Sequence, residues 1–181
     1  MIEEGPEPHA SGPCCRCPYW LRVTVSSLGI IAGASAAPIF AFRFHAINAT
    51  IWALVSVAFA SWVTVIHVKH HRGTLIDYYT RLKSYMLIGC IGQMFGLCAL
   101  ASYLSLAAVI GQGVTGDDLM GENYWIASVW AFMTWKWTFY LFWFSRQYRR
   151  EYESTYGLRP VTEINADGHN LRSDSKYEHF L

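Results

Sequence analysis

The sequence predicts an all-α membrane protein, four transmembrane helices with cytoplasmic N- and C-termini. Three observations predict it: four apolar stretches each long enough to cross a bilayer, a composition 53% hydrophobic against 15% charged, and lysines and arginines segregated by side. Basic residues fall at Arg16 and Arg22 before the first stretch, at Lys69, Arg72, Arg81 and Lys83 between the second and third, and at Arg146, Arg149 and Arg150 after the fourth. The opposite side has only Arg43, and the loop before the fourth stretch carries Asp117, Asp118 and Glu122 without a lysine or arginine. The positive-inside rule therefore assigns both ends and the middle loop to the cytoplasm. With a net charge of +1 the chain calls for no nucleic-acid partner; its surroundings are the lipid bilayer.

Residues 1–19 are expected to form a cytoplasmic N-terminal segment. It opens acidic and proline-broken with no basic n-region, so it does not read as a cleavable signal peptide and the first span should be retained. Cys14, Cys15 and Cys17 cluster beside the membrane entry point, where S-palmitoylation is one reading, a metal site a weaker one and unmodified thiols the plain one. Residues 20–150 form the transmembrane domain, with spans at about 20–42, 46–68, 84–110 and 124–144. In the first, glycines and alanines from Gly29 to Ala37 favour close helix approach, as do Gly89, Gly92 and Gly96 in the third. Pro38 should kink the first span or open its hydrogen-bond ladder. Residues 151–181 turn polar and are expected to be a disordered cytoplasmic tail. Within it Tyr177 and Phe180 match a tyrosine-based sorting signal, a short pattern that would engage endocytic adaptors.

The fourth span holds one cation, Lys136, about eight residues and so roughly 12 Å of helix from the next basic residues. An ammonium at that depth costs on the order of 3 kcal/mol or more, which points to a bundle interior, a water-filled cavity or an anionic ligand. Around it lies a dense aromatic stripe, Trp130, Trp135, Trp137, Tyr140 and Trp143, which either lines a path for a flat ligand or packs helices. Cation–π contact with those rings would offset part of the burial of Lys136. His67, at the cytoplasmic end of the second span, is either a metal ligand or a helix-end hydrogen-bonding group. His70 and His71 read as part of a basic interfacial collar, and His45 as an interfacial residue of the first exoplasmic loop. There is no phosphate-binding glycine loop, no Ser-His-Asp arrangement and no carboxylate inside a span, so the chain is not expected to be an enzyme.

The run from Leu119-Met120-Gly121 through Trp125 to Trp130, Phe132-Met133-Thr134, Lys136-Trp137 and on to Phe144-Ser145-Arg146-Gln147-Tyr148 resembles the haem-responsive-gene haem transporters, the solute carrier group of small four-span haem permeases. The last five residues are similar to that family's Phe-Ala-Arg-Lys-Tyr motif. The resemblance implies a haem transporter moving haem from the extracellular space or an endolysosomal lumen into the cytoplasm, at the plasma membrane or endosomal-lysosomal membranes. Haem would be the transported ligand, with no permanent cofactor, and a wide pathway would form more easily between protomers of a homo-oligomer. The family's second-span histidine falls on His67, the candidate axial ligand of haem iron. Its C-terminal motif falls on Phe144, Arg146 and Tyr148, where Arg146 would hold a propionate and the rings would stack on porphyrin. From its depth, Lys136 would be a midway propionate partner beside Trp137. Two departures stand out: Gln147 replaces the motif's lysine, and Gly111 stands before Gln112 where family members carry a loop histidine. His45, Met120 and Tyr124 are the candidate outer haem contacts in its place. The competing reading is a four-span scaffold or trafficking adaptor, supported by the short loops, the glycines and the tail signal.

Overall fold

The computed structural model describes residues 18–75, 78–113 and 121–156. Among these every regular element is helical: α1 (Tyr19–Ile39), a π-helical turn at Phe40–Phe44, α2 (Ile47–His71), α3 (Tyr79–Ile110) and α4 (Tyr124–Tyr156). Pro38 has no N–H to give, and its ring crowds the carbonyl one turn back, so the helix cannot keep its usual ladder beyond it. The chain widens into the π turn and stops at His45, whose φ of 54° is left-handed, while the Ala46 N–H reaches back to the Phe40 carbonyl at 3.0 Å.

Three segments, Tyr19–Phe44, Ile47–His71 and Tyr79–Ile110, are long and apolar enough to cross a membrane. α4 is 33 residues long, but its tyrosines, tryptophans, Lys136 and C-terminal arginines set it below the other three in mean hydropathy. Tryptophan and tyrosine score as polar on such a scale although each brings a large apolar surface. Trp20, Leu28, Phe42, Leu87, Phe95 and Val109 face outward, the inverse of a water-soluble helical domain and the surface a lipid environment demands.

Side by side, α1 packs on α2, α2 on α4, and α4 on α3. The α3–α4 seam is close because Gly89 has no Cβ, an atom that would lie 2.8 Å from the Phe142 backbone nitrogen. Gly29 of α1 likewise leaves the space that the Trp137 indole occupies, which lets an α4 side chain reach α1. Polar side chains tie the helices, with Thr64 Oγ1 donating to Ser26 Oγ at 2.8 Å and Thr134 Oγ1 to the Trp52 carbonyl at 3.2 Å.

Two boundaries differ from expectation. α3 begins at Tyr79 rather than 84, because Leu82 is fully buried and the Tyr79 hydroxyl donates to Glu153 at 2.8 Å. α4 continues through 151–156, the start of the expected tail, because Tyr152 is buried against the other helices and Arg149 Nε donates to Glu153 Oε1 at 2.7 Å along the same helix face. Residues 157–181, with Tyr177 and Phe180, lie outside the described residues, as do Cys14, Cys15, Cys17 and Met120.

Candidate functional site

The C-terminal end of α2 and the second half of α4 converge on a cluster of rings and cations. His67 sits where the bundle closes and is 1% exposed. Its Nδ1 lies 2.8 Å from the Tyr148 hydroxyl, and its ring meets Phe144 edge-on with centroids 4.5 Å apart. A hydrogen bond at Nδ1 fixes the imidazole's orientation and leaves Nε2 as the nitrogen for a metal. Tyr148, itself buried, is stacked face to face by His70 at 3.8 Å, and His70 Nδ1 lies 3.2 Å from the Tyr152 hydroxyl. From α1, Arg22 donates through Nη1 to the Tyr148 hydroxyl at 3.3 Å and lies 5.1 Å from the Phe144 ring centroid.

The rings continue along α4 at helical spacing. Tyr148, Phe144, Tyr140 and Trp137 follow one another at centroid distances of 6.1, 6.0 and 5.7 Å. Trp137 is buried against Gly29, and the Lys136 ammonium lies 4.3 Å from its ring centroid. Among the described residues no carboxylate pairs with Lys136. Cation–π contact therefore supplies part of what burial removes from it. A continuous aromatic wall thus runs for roughly 18 Å between Lys136 and Tyr148, with a cation near each end.

The structure brings together His67, Phe144 and Tyr148, and connects them through rings to Trp137 and Lys136. Arg146 is exposed and has no described contact with the cluster. At the other end, Tyr124 stacks on Tyr103 with centroids 6.1 Å apart, and its N–H donates to Gln112 Oε1 at 2.9 Å. His45 is exposed and stands apart from that network. Glu122 closes the same end, its carboxylate accepting from the Ile47 N–H at 2.7 Å and from Asn48 Nδ2 at 2.9 Å, so that an anion caps the start of α2. Gly111, in the place of a loop histidine, ends α3 with φ 71°, a conformation costly for any side chain with a Cβ.

Sequence reasoning did not place Arg22 and Tyr152 in this cluster and assigned His70 to an interfacial collar. Tyr152 was recoverable, since Phe144, Tyr148 and Tyr152 recur at i, i+4 and i+8 on one face of α4. His70 lies one turn after His67 and had the same signal. Arg22 had none, because nothing in α1 alone says that its first turn meets the end of α4.

Among the described residues no group of three or more His, Cys, Asp or Glu side chains is placed to hold a bare metal ion. One buried imidazole beside flat rings and cations suits instead a metal that arrives with its own planar ligand. Fold and cluster together describe a small helical membrane protein with aromatic rings, a buried imidazole and cations gathered at one end of its bundle. The family described as haem-transporter, endosomal/lysosomal, haem-responsive gene, matches residues 82–137, from α3 to Trp137. "Heme transporter hrg-1" of Caenorhabditis elegans is 31% identical over 139 residues, covering 75% of this chain and 72% of that protein. "Heme transporter hrg-6" of the same organism is 25% identical over 135 residues, covering 73% and 83%. This chain belongs to the haem-responsive-gene haem-transporter family. No solved structure gives a significant match.

Proposed function

We propose that this chain carries haem from the extracellular space or an endolysosomal lumen into the cytoplasm, with α4 as a fourth span and both termini cytoplasmic. The observation that carries the reading is His67, buried, hydrogen-bonded through Nδ1 to Tyr148 at 2.8 Å and set edge-on to Phe144. Haem is a flat apolar disc with two carboxylates and an iron that accepts imidazole. His67 offers the axial nitrogen, Phe144 and Trp137 offer apolar faces, and Tyr148 positions His67. Lys136 serves a propionate partway along the ring wall, and Arg146, exposed after the wall ends, gives a departing propionate a cation at the cytoplasmic mouth.

The orientation rests on the placement of basic residues, and the direction of haem movement on the resemblance to the haem transporters. On the other side the outer contacts are drawn from Tyr124, His45 and Met120. Each stage must bind weakly enough to release, as in any conducting path. Growth of a haem-deficient cell on limiting external haem, with and without this chain, tests the proposal. Rescue is the expected result, and no rescue at confirmed membrane expression refutes it.

A further inference from the structure

Arg22 raises a question that its neighbours do not answer. Its Nε is buried with no hydrogen-bond partner, although a guanidinium carries five donors and a buried unpaired one is costly. Only Nη1 is engaged, and at 3.3 Å its bond to Tyr148 is long for a charged donor. Nε and Nη2 together form the side-on edge of the guanidinium, the edge that grips a carboxylate with two parallel hydrogen bonds. Among the described residues of this end, Glu151 and Glu153 are drawn to other groups: Glu151 lies 3.8 Å from His70, and Glu153 accepts from Arg149 and Tyr79.

We propose that Arg22 is the cation that receives a carboxylate of the planar ligand at this site, a binding residue contributed by α1 to a seat otherwise built by α2 and α4. The inference rests on the haem reading above. Its geometry is compact: Arg22 lies 5.1 Å from the Phe144 ring centroid and shares the Tyr148 hydroxyl with His67. Ring face, axial nitrogen and guanidinium are therefore contiguous, so a disc stacked near Phe144 with its metal toward His67 brings its carboxylate edge within reach of Arg22. A side-chain rotation that gives up the long Nη1 bond and shifts the guanidinium over Phe144 would present the Nε and Nη2 edge. The carboxylate then relieves the unpaired buried donor, which explains why an arginine is held in a ring cluster with no acid paired to it among the described residues.

The test is a spectral titration of the full chain in lipid nanodiscs with two probes, haem and haem dimethyl ester, whose carboxylates are blocked. Wild type is expected to favour haem over the ester. Arg22→Gln should weaken haem binding about tenfold or more, the scale of a charged hydrogen bond, and leave ester binding unchanged. Ester binding in that variant also reports that the seat is still folded. Arg22→Lys should restore part of the preference for haem, and Arg150→Gln, which removes an exposed charge at the same end, should leave it intact. An equal preference in wild type and Arg22→Gln overturns the role of Arg22 while the haem reading stands. Failure of wild type to bind either probe overturns both.

Discussion

Replacing Tyr148 by Phe isolates one hydroxyl and tests the arrangement of the whole site. The ring stays, and with it the 3.8 Å stack on His70 and the offset contact with Phe144. What goes is the 2.8 Å bond to His67 Nδ1 and the longer one from Arg22. Interhelical hydrogen bonds in membrane proteins average about 0.6 kcal/mol and reach about 1.7. This one belongs at the upper end, because His67 is 1% exposed and no water can readily take the place of the lost oxygen. A loss of about 1.5 kcal/mol in unfolding free energy is expected, roughly tenfold in the equilibrium constant. Haem affinity should fall by about 10- to 100-fold, the usual cost of removing the group that orients a metal-binding histidine. Denaturant unfolding of the reconstituted chain and a haem absorbance titration read the two effects. The double substitution with His67→Ala should show coupling, since Tyr148→Phe has little left to disturb once the imidazole is gone. Unfolding and haem titration curves that overlay those of wild type would refute the role given to this pair.

His67→Ala should alter the haem absorption band on titration; spectra identical to wild type would return the residue to a structural role. Lys136→Met should leave the chain folded, losing about 0.5–1 kcal/mol of cation–π contact at most, and lower haem uptake. Unchanged uptake at matched surface levels would remove Lys136 from the path. Gly89→Ala places a Cβ against the α4 backbone at Phe142 and should cost about 1–3 kcal/mol, seen as a lower thermal midpoint; an unchanged midpoint would mean the seam is looser than described.

The helices were legible because lipid imposes a simple rule: every backbone polar group must be satisfied within the segment, so long apolar runs fold as helices wherever they fall. The close seam at Gly89 was legible for a related reason, since small residues announce where backbones can approach. Helix ends were less so. The extension of α4 to Tyr156 depends on Tyr152 finding cover and on Glu153 bonding to Tyr79 of another helix, and neither contact is encoded in the tail's own composition. The fourth helix divides two criteria: its length reads as a crossing helix, while its tryptophans and tyrosines lower its hydropathy.

The site shows the same division between what one helix encodes and what packing adds. Phe144 and Tyr148 were named through the resemblance of the α4 motif, and His67 through that resemblance after its own residue type had left a ligand and a helix-end role both open; the contact among the three comes from packing. Arg146 shares the motif with Phe144 and Tyr148, yet adjacent helical positions diverge by about 100°, so a side chain two places from either ring cannot be assumed to share its face. Arg146 is exposed, while Arg22, far away in the sequence, reaches the Tyr148 hydroxyl at 3.3 Å. The cation beside Phe144 and Tyr148 is therefore supplied by the packing of α1, whereas Lys136 and the i, i+4 ring surface are supplied by α4 itself. A substitution that tilts α1, at Gly29 for example, would separate the guanidinium from the rings without touching any residue of the motif.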